Sequence, residues 1–341
     1  MTPPWDEGFW DSGFWDDPGS VTLLPVKTKK INRHTMASNP TPDNDDIALA
    51  LAEDLADGCA ALEVTLGIKQ NTETVLRAAI AACIAARQAF TAADLVLTQK
   101  YGLLQTADTA GEQTLTNCKL RLAKLYGQRF NPQWAATGWP GQKTAIPDTQ
   151  DKRFTLLNSL TSFFTANPST ESVDMDATAA LCLAAYTAIS NARAAVNAAD
   201  QTVKDKLALR KAAFKSLRKR IRGLIDEVAT LILENDTRYL TFGLNVPANP
   251  TAPLAISDLT LTATGGGKIH ARWTYATRMT GTRLRTLRQG IDNLWVNAGT
   301  AEGLEKTLEG FAPGDVVDVQ AIPYNDGGDG PGSPVRTITV T

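Results

Sequence analysis

The sequence predicts a multidomain chain, α then β. The expected order is an extended N-terminal arm, a duplicated antiparallel helical bundle of two three-helix units related by a pseudo-two-fold axis, and a small β-sandwich. Three observations predict it. Pro147-Asp148-Thr149-Gln150-Asp151 nearly copies Pro42-Asp43-Asn44-Asp45-Asp46, and Arg87-Gln-Ala-Phe-Thr-Ala-Ala-Asp94 reappears as Arg193-Ala-Ala-Val-Asn-Ala-Ala-Asp200, at offsets of 105 and 106 residues. A third match closes each copy, Asn131-Pro-Gln-Trp134 with Gly138 against Asn235-Asp-Thr-Arg-Tyr239 with Gly243, and three matches in one order read as a tandem duplication. The hydrophobic period changes from helical to alternating after Val246, and the first 19 residues follow a repeat of their own. The resulting segments are an arm and linker over 1–41, helical repeats over 42–146 and 147–246, a proline-rich linker over 247–253 and the sandwich over 254–341.

At 341 residues the chain exceeds what one hydrophobic core usually serves. A net charge of −2 with 21% charged residues gives no overall push toward nucleic acid or a membrane surface, so any basic contact must be local. Cys59, Cys83, Cys118 and Cys182 are far apart and form no metal-type or redox pair in sequence, so they read as small buried apolar residues. No run of ~18 apolar residues occurs, so no membrane-spanning helix is expected. Met1-Thr-Pro-Pro-Trp-Asp-Glu has neither the basic start nor the apolar stretch of a secretory signal. The chain is expected to be retained, or exported by a route the sequence does not show, with extracellular or cell-surface assembly favoured over the cytoplasm.

The arm repeats Trp5-Asp6-Glu7-Gly8-Phe9, Trp10-Asp11-Ser12-Gly13-Phe14 and Trp15-Asp16-Asp17-Pro18-Gly19. Trp5, Phe9, Trp10, Phe14 and Trp15 are too apolar for a solvated tail, and the turn signals are too frequent for a helix. The arm should therefore lie in a groove, either of its own subunit or of a neighbouring copy. Residues 20–41 read as a short extended segment with a solvated basic cluster from Lys27 to His34.

The first copy opens on Asp43, Asp45 and Asp46, which suit the positive end of a helix dipole, and its first helix should reach about Leu66. The second helix carries Leu76, Ile80, Cys83, Phe90, Leu97, Tyr101 and Leu104 at coiled-coil steps. A break is expected around Thr106–Gln113, then a third helix with Leu115, Cys118, Leu122 and Leu125. In the second copy Asn167-Pro168 ends the first helix; the next carries Cys182, Tyr186, Ile189, Val196, Val203 and Leu207. With no breaker from Asp176 to Arg222, this is either one very long helix or a hairpin turning near Ala199–Asp205. The charged seam residues Arg87, Asp94, Arg193 and Asp200 are expected either to pair across the bundle, Arg87 with Asp200 and Arg193 with Asp94, fixing register, or to snorkel from its edge. Nine cations between Lys204 and Arg222 face a single acid, Asp205. They interleave with a Leu/Ile stripe rather than stacking aromatics, which favours a solvated face or an acidic neighbour over nucleic acid.

Seven short strands follow the stiff Pro247–Pro253 linker: Ile256 to Leu261, Ile269 to Trp273, Leu284 to Leu287, Leu294-Trp-Val296, Leu304 to Leu308, Val317 to Ala321 and Val335 to Val340. These residues resemble the fibronectin type III fold. Trp273 stands where its strand-B tryptophan would, Leu308-Glu-Gly310-Phe311-Ala-Pro313-Gly314 looks like its corner, and Ala321-Ile-Pro-Tyr-Asn325 with Ser333-Pro334 resembles strand F and the turn after it. The resemblance implies a sandwich core containing Trp273, Leu308 and Val317, with Val317 replacing the family's corner tyrosine. The helical duplication with this module also looks like bacterial helical-repeat proteins with aromatic Asp-x-Gly N-terminal repeats, a resemblance that carries no activity.

No phosphate loop, nucleophile elbow, His-Glu-x-x-His or Cys/His pair is present, and only His34 and His270 are available for histidine chemistry. No catalytic residue, metal, cofactor or small-molecule substrate is therefore expected. The sequence points to a structural protein, a subunit of a homopolymeric filament or tube whose partner is itself; the alternative is an adhesion or binding protein using the sandwich loops.

Overall fold

A computed structural model describes residues 38–341. The aromatic arm, with Trp5, Phe9, Trp10, Phe14 and Trp15, and the basic run from Lys27 to His34 lie outside the described residues. Helices occupy the first two thirds of the described chain and antiparallel sheets the rest.

The helical part is built on two helices of matched length, α2 (Glu73–Tyr126) and α5 (Ala179–Leu231), of 54 and 53 residues, each ~80 Å long at 1.5 Å per residue. Two shorter helices, α1 (Asp45–Leu66) and α4 (Gln150–Ala166), precede them, and a single turn, α3 (Pro132–Ala136), follows α2. Asn44 caps α1 by accepting from the Asp46 and Ile47 amides, and left-handed Gly67 ends it.

The long helices run antiparallel in constant register. Cys118 Sγ lies 3.5 Å from Cys182 Sγ, a Cβ on Gly111 would stand 3.0 Å from Ile189, and the guanidinium groups of Arg210 and Arg87 lie over the Phe90 and Phe214 rings. In each pair the residue numbers total 300 or 301.

The expected break at Thr106–Gln113 is corrected: α2 is continuous there. Gly111 is buried between Ile189 and Leu157 and acts as a point of close helix approach rather than a stop. The Thr106 and Thr114 hydroxyls donate to carbonyls four residues back, so they do not compete with the helical ladder. The 176–222 stretch is one helix, without a turn near Ala199–Asp205. Four principal helices therefore replace the six expected.

Two separate cores hold this rod, one at each end. At the first, α1 packs on the start of α2 and the end of α5, with Leu55, Leu76, Phe214, Leu217, Leu224, Tyr239 and Phe242 buried. At the second, α4 packs on the end of α2 and the start of α5, with Leu115, Leu122, Trp134, Leu157, Phe164 and Ile189 buried. Both ends use matching devices. Trp134 and Tyr239 each follow an Asx-capped turn, and each is followed by a left-handed glycine, Gly138 or Gly243. A Cβ on either glycine would collide with a short helix, at Ser159 or Asp54 respectively. Between the cores the two helices have only each other, so Leu95, Tyr101, Leu103 and Leu209 are 54–60% exposed.

The sandwich places β1 (Leu259–Gly265), β2 (Lys268–Trp273) and β5 (Glu305–Leu308) in one sheet. Strands β3 (Gly281–Arg288), β4 (Val296–Ala301), β6 (Val316–Asn325), the two-residue β7 (Gly328–Asp329) and β8 (Arg336–Thr339) form the other. Strand β6 alternates strictly between half-buried and buried positions, as a central strand facing one core should. Trp273, Leu308 and Val317 lie in that core at 4%, 3% and 0% exposure. Val317 pairs across the sheet with Arg288 and Ile338. The expected fourth strand begins only at Val296; Leu294 is 79% exposed in the loop before it.

Candidate functional site

Two polar constellations lie at the sandwich-bearing end of the rod. The first is a charged collar at the start of α1. Asp45 accepts from Arg210 at 2.8 Å and from Arg218 at 2.7 Å, and Asp46 accepts from Arg87 at 2.6 Å. Arg218 also donates to the Pro42 and Asp43 carbonyls. Phe214 lies beneath the guanidinium groups of Arg87, Arg210 and Arg218, each within about 6 Å of its ring centre, a distance at which ring and cation attract. Burial pushes the Asp45 carboxyl upward, but the hydrogen bonds from Arg210 and Arg218 outweigh it and hold the group below the ordinary aspartate value.

This collar corrects the expected cross-bundle pairs. Arg87 binds Asp46, and Arg193 binds Asp151 at 2.6 Å and Gln150 at 3.1 Å while lying over Phe154. Asp200 pairs with Lys204 on its own helix. The register explains the difference: Arg87 faces position ~213, so Asp200 lies about 13 residues, or roughly 20 Å, further along the rod. Each arginine instead reaches the first turn of the short helix beside it. Asp94 remains exposed at mid-rod.

The second constellation joins rod to sandwich. The Asn39 side chain bonds both backbone groups of Asn245, its Nδ2 donating to the Asn245 carbonyl and its Oδ1 accepting from the Asn245 amide. Asn325 Nδ2 then reaches Asn245 Oδ1 at 3.1 Å and the carbonyls of Thr251 and Arg278 at 2.9 Å. Beside this chain of amides lies a cleft of about 180 Å³, floored by Ile47, Leu51, Leu244, Met279 and Tyr324 and rimmed by Asn44 and Glu302. Asp54 of α1 faces the same β2–β3 loop. Burial raises its carboxyl above the ordinary value against the Thr277 hydrogen bond that lowers it, and its Oδ2 is buried without a hydrogen-bond partner among the described residues. Burial likewise pushes the Tyr275 phenol up.

Among the described residues no group of three or more His, Cys, Asp and Glu could hold a metal. All four cysteines are buried, and burial drives the Cys59 thiol up to about 12, far from the thiolate a nucleophile requires. Asp326 and Asp329, at the β6–β7 hairpin, are engaged by Ser38 and Arg283. Asn39 and Asn245 lie in connecting segments and Asn325 is the last residue of β6; their spacing does not announce that the fold brings the three amides together.

Helices α2 and α5 each contain an 18-residue window, of mean hydropathy 1.5 and 1.2 respectively, and so are long and apolar enough to cross a membrane by length and composition. The sequence expectation counted uninterrupted apolar runs, whereas abundant alanine lifts the mean across one or two charges.

No protein-family model matches the chain, and no curated protein matches it. Among solved structures its neighbours are fibronectin type III domains, which cover about 27% of the chain, at the C-terminal end. The FN5 domain of Drosophila Lar is 20% identical over 26% of this chain and 96% of its own, with a TM-score of 0.24. The sixth fibronectin type III domain of human fibronectin type III domain containing protein 3 is 17% identical over 27% and 89%, with a TM-score of 0.24. The FN1–FN3 domains of chicken CNTN1 are 18% identical, with a TM-score of 0.24, and the chain spans a third of that fragment's length.

Proposed function

We propose that the protein is a structural, self-assembling subunit in which a duplicated helical rod separates two single-copy ends, and that the N-terminal aromatic arm docks on a neighbouring copy to build a filament or tube. One observation carries the reading: a rod of two 53- to 54-residue helices whose cores lie only at its ends leaves apolar flanks such as Leu95, Tyr101 and Leu103 without cover. The duplication is supported by the paired devices at offsets of 105 and 106: Arg87–Asp46 and Arg193–Asp151, Trp134 and Tyr239, Gly138 and Gly243. A pseudo-two-fold axis would then pass between Leu97 and Val203, at mid-rod. Both long helices are read as rod helices rather than membrane spans, because Arg87 and Arg193 within them are each held by a carboxylate of a short helix.

The experiment is electron microscopy with size-exclusion chromatography of the full-length protein beside one lacking residues 1–20. Loss of polymers with the arm is expected; polymers that persist unchanged would refute arm docking. A second reading, a binding or adhesion module, is favoured by the β3–β4 loop, where Ile291 and Leu294 are 57% and 79% exposed. A strict monomer in both proteins would favour it.

A further inference from the structure

Helix α5 carries a basic stripe without an ion-pair partner among the described residues. Lys211, Lys215 and Lys219, at four-residue steps, share one exposed face of the helix. Among the described residues no ion pair reaches any of them, nor Lys206 and Arg220 beside them, whereas four other cations of the run are engaged: Arg210 and Arg218 by Asp45, Arg222 by Asp226, Lys204 by Asp200. Three of the nearby acids are committed as well. Asp45 and Asp46 serve the collar, and Glu227 accepts from the backbone amides of Lys69 and Gln70 and the side chain of Asn71. The antiparallel register sets this stripe opposite residues 81–89 of α2, and α2 has no Asp or Glu between Glu73 and Asp94. Like charges one turn apart repel, and nothing on the rod neutralises them.

The chain itself contains the complement. Its first 19 residues hold five acids, Asp6, Glu7, Asp11, Asp16 and Asp17, and no lysine or arginine, although the whole chain has a net charge of only −2. Acids alternate there with five aromatic rings, and the same third of the rod exposes Ile84 and Leu209, 42% and 58% accessible. We infer that the Lys211–Lys215–Lys219 stripe of α5 is the surface on which the acidic aromatic arm of a second copy docks. This rests on the assembly reading above and names the receiving face. Carboxylates would meet the lysines while the rings cover adjoining apolar surface, so assembly should weaken with salt.

The test is sedimentation velocity of full-length proteins at low and high salt: wild type, a stripe variant K211E/K215E/K219E, an arm variant D6K/D11K/D16K, and the two combined. Far-UV circular dichroism and melting confirm folding, and K211A/K215A/K219A provides a milder second variant. The inference expects each reversal to raise the concentration needed for assembly by at least about tenfold, alanine to have a smaller effect of the same sign, and the combined variant to recover assembly at low salt. If the arm variant fails to assemble while both stripe variants assemble as wild type, the arm docks elsewhere and only this inference falls. If the arm variant also assembles as wild type, the function reading falls with it. If the stripe variants lose only binding to a labelled single-stranded 20-nucleotide DNA, the stripe is a nucleic-acid surface and the inference is overturned.

Discussion

Replacing Asn325 by alanine should uncouple the sandwich from the rod. Asn325 is 8% exposed, its Nδ2 lies within 3.1 Å of three acceptors, and its Oδ1 accepts the Gly327 amide at 2.7 Å. An amide nitrogen has only two hydrogens, so the three donations amount to about two full bonds, and the Gly327 contact adds a third. At about 1 kcal/mol net for each neutral bond, N325A should cost about 3 kcal/mol. Only the bond to Asn245 crosses to the helices; those to Thr251 and Arg278 order the linker and the β2–β3 loop on which the sandwich rests. The loss should therefore fall on the C-terminal domain, lowering its midpoint by about 10 °C or more for a domain of this size. Differential scanning calorimetry should show the sandwich melting before the rod, with helical circular dichroism persisting through the first transition. A single transition at the wild-type midpoint would refute the argument that these amides form the joint.

Other substitutions probe the two ends of the rod. Gly58→Ala would bring a Cβ to 2.4 Å from the Phe242 ring and 2.8 Å from its Cα. Overpacking of about 1–3 kcal/mol should exceed the ~1 kcal/mol gained in helix propensity, so chemical denaturation should show a less stable protein. Asp54→Asn should stabilise at neutral pH. Because the folded carboxyl titrates above its ordinary value, the folded state binds more protons and stability falls as pH rises from about 4 through the folded pKa; urea midpoints in the variant should lose that part of the decline. The four buried thiols should react with a maleimide only as fast as the cores open, and labelling of the native protein within minutes would contradict their burial. Glu227→Ala removes the acceptor of three loop amides and the Asn71 side chain, and should cost about 2 kcal/mol. The wild-type contribution of this lowered carboxyl is present above its ordinary value and lost as pH falls through the folded one, so variant and wild-type melting points should converge in acid.

What could be read from sequence was whatever depends on local chemistry or strict period. The α1 terminus at Leu66, the α4 stop before Asn167-Pro168 and the alternation of β6 all follow from residues within a few positions. Interruptions were misjudged because a glycine costs a helix only about 1 kcal/mol. Packing Gly111 against Ile189 and Leu157 on the partner helices overrides that. The arginine partners were misassigned because pairing by copy equivalence ignores axial position. The information was present in the seam: setting Cys118 against Cys182 slides Arg87 to the level of Phe214 and away from Asp200. The junction amides were not legible, since Asn39 and Asn245 are loop asparagines and Asn325 ends a strand, far apart in sequence, and nothing in their spacing shows that they meet.

The constant register of α2 and α5 makes the distance between the two end cores a graduated quantity. Inserting one residue into either helix would rotate everything beyond it by about 100° and pull Arg87 or Arg193 off its aspartate. Inserting seven into each helix at the Leu97 and Val203 level would return every side chain close to its original face. Such a protein would keep both cores and gain about 10 Å of separation. The separation of the two ends is thus a length that evolution or an engineer can reset in heptad steps, without redesigning either of them.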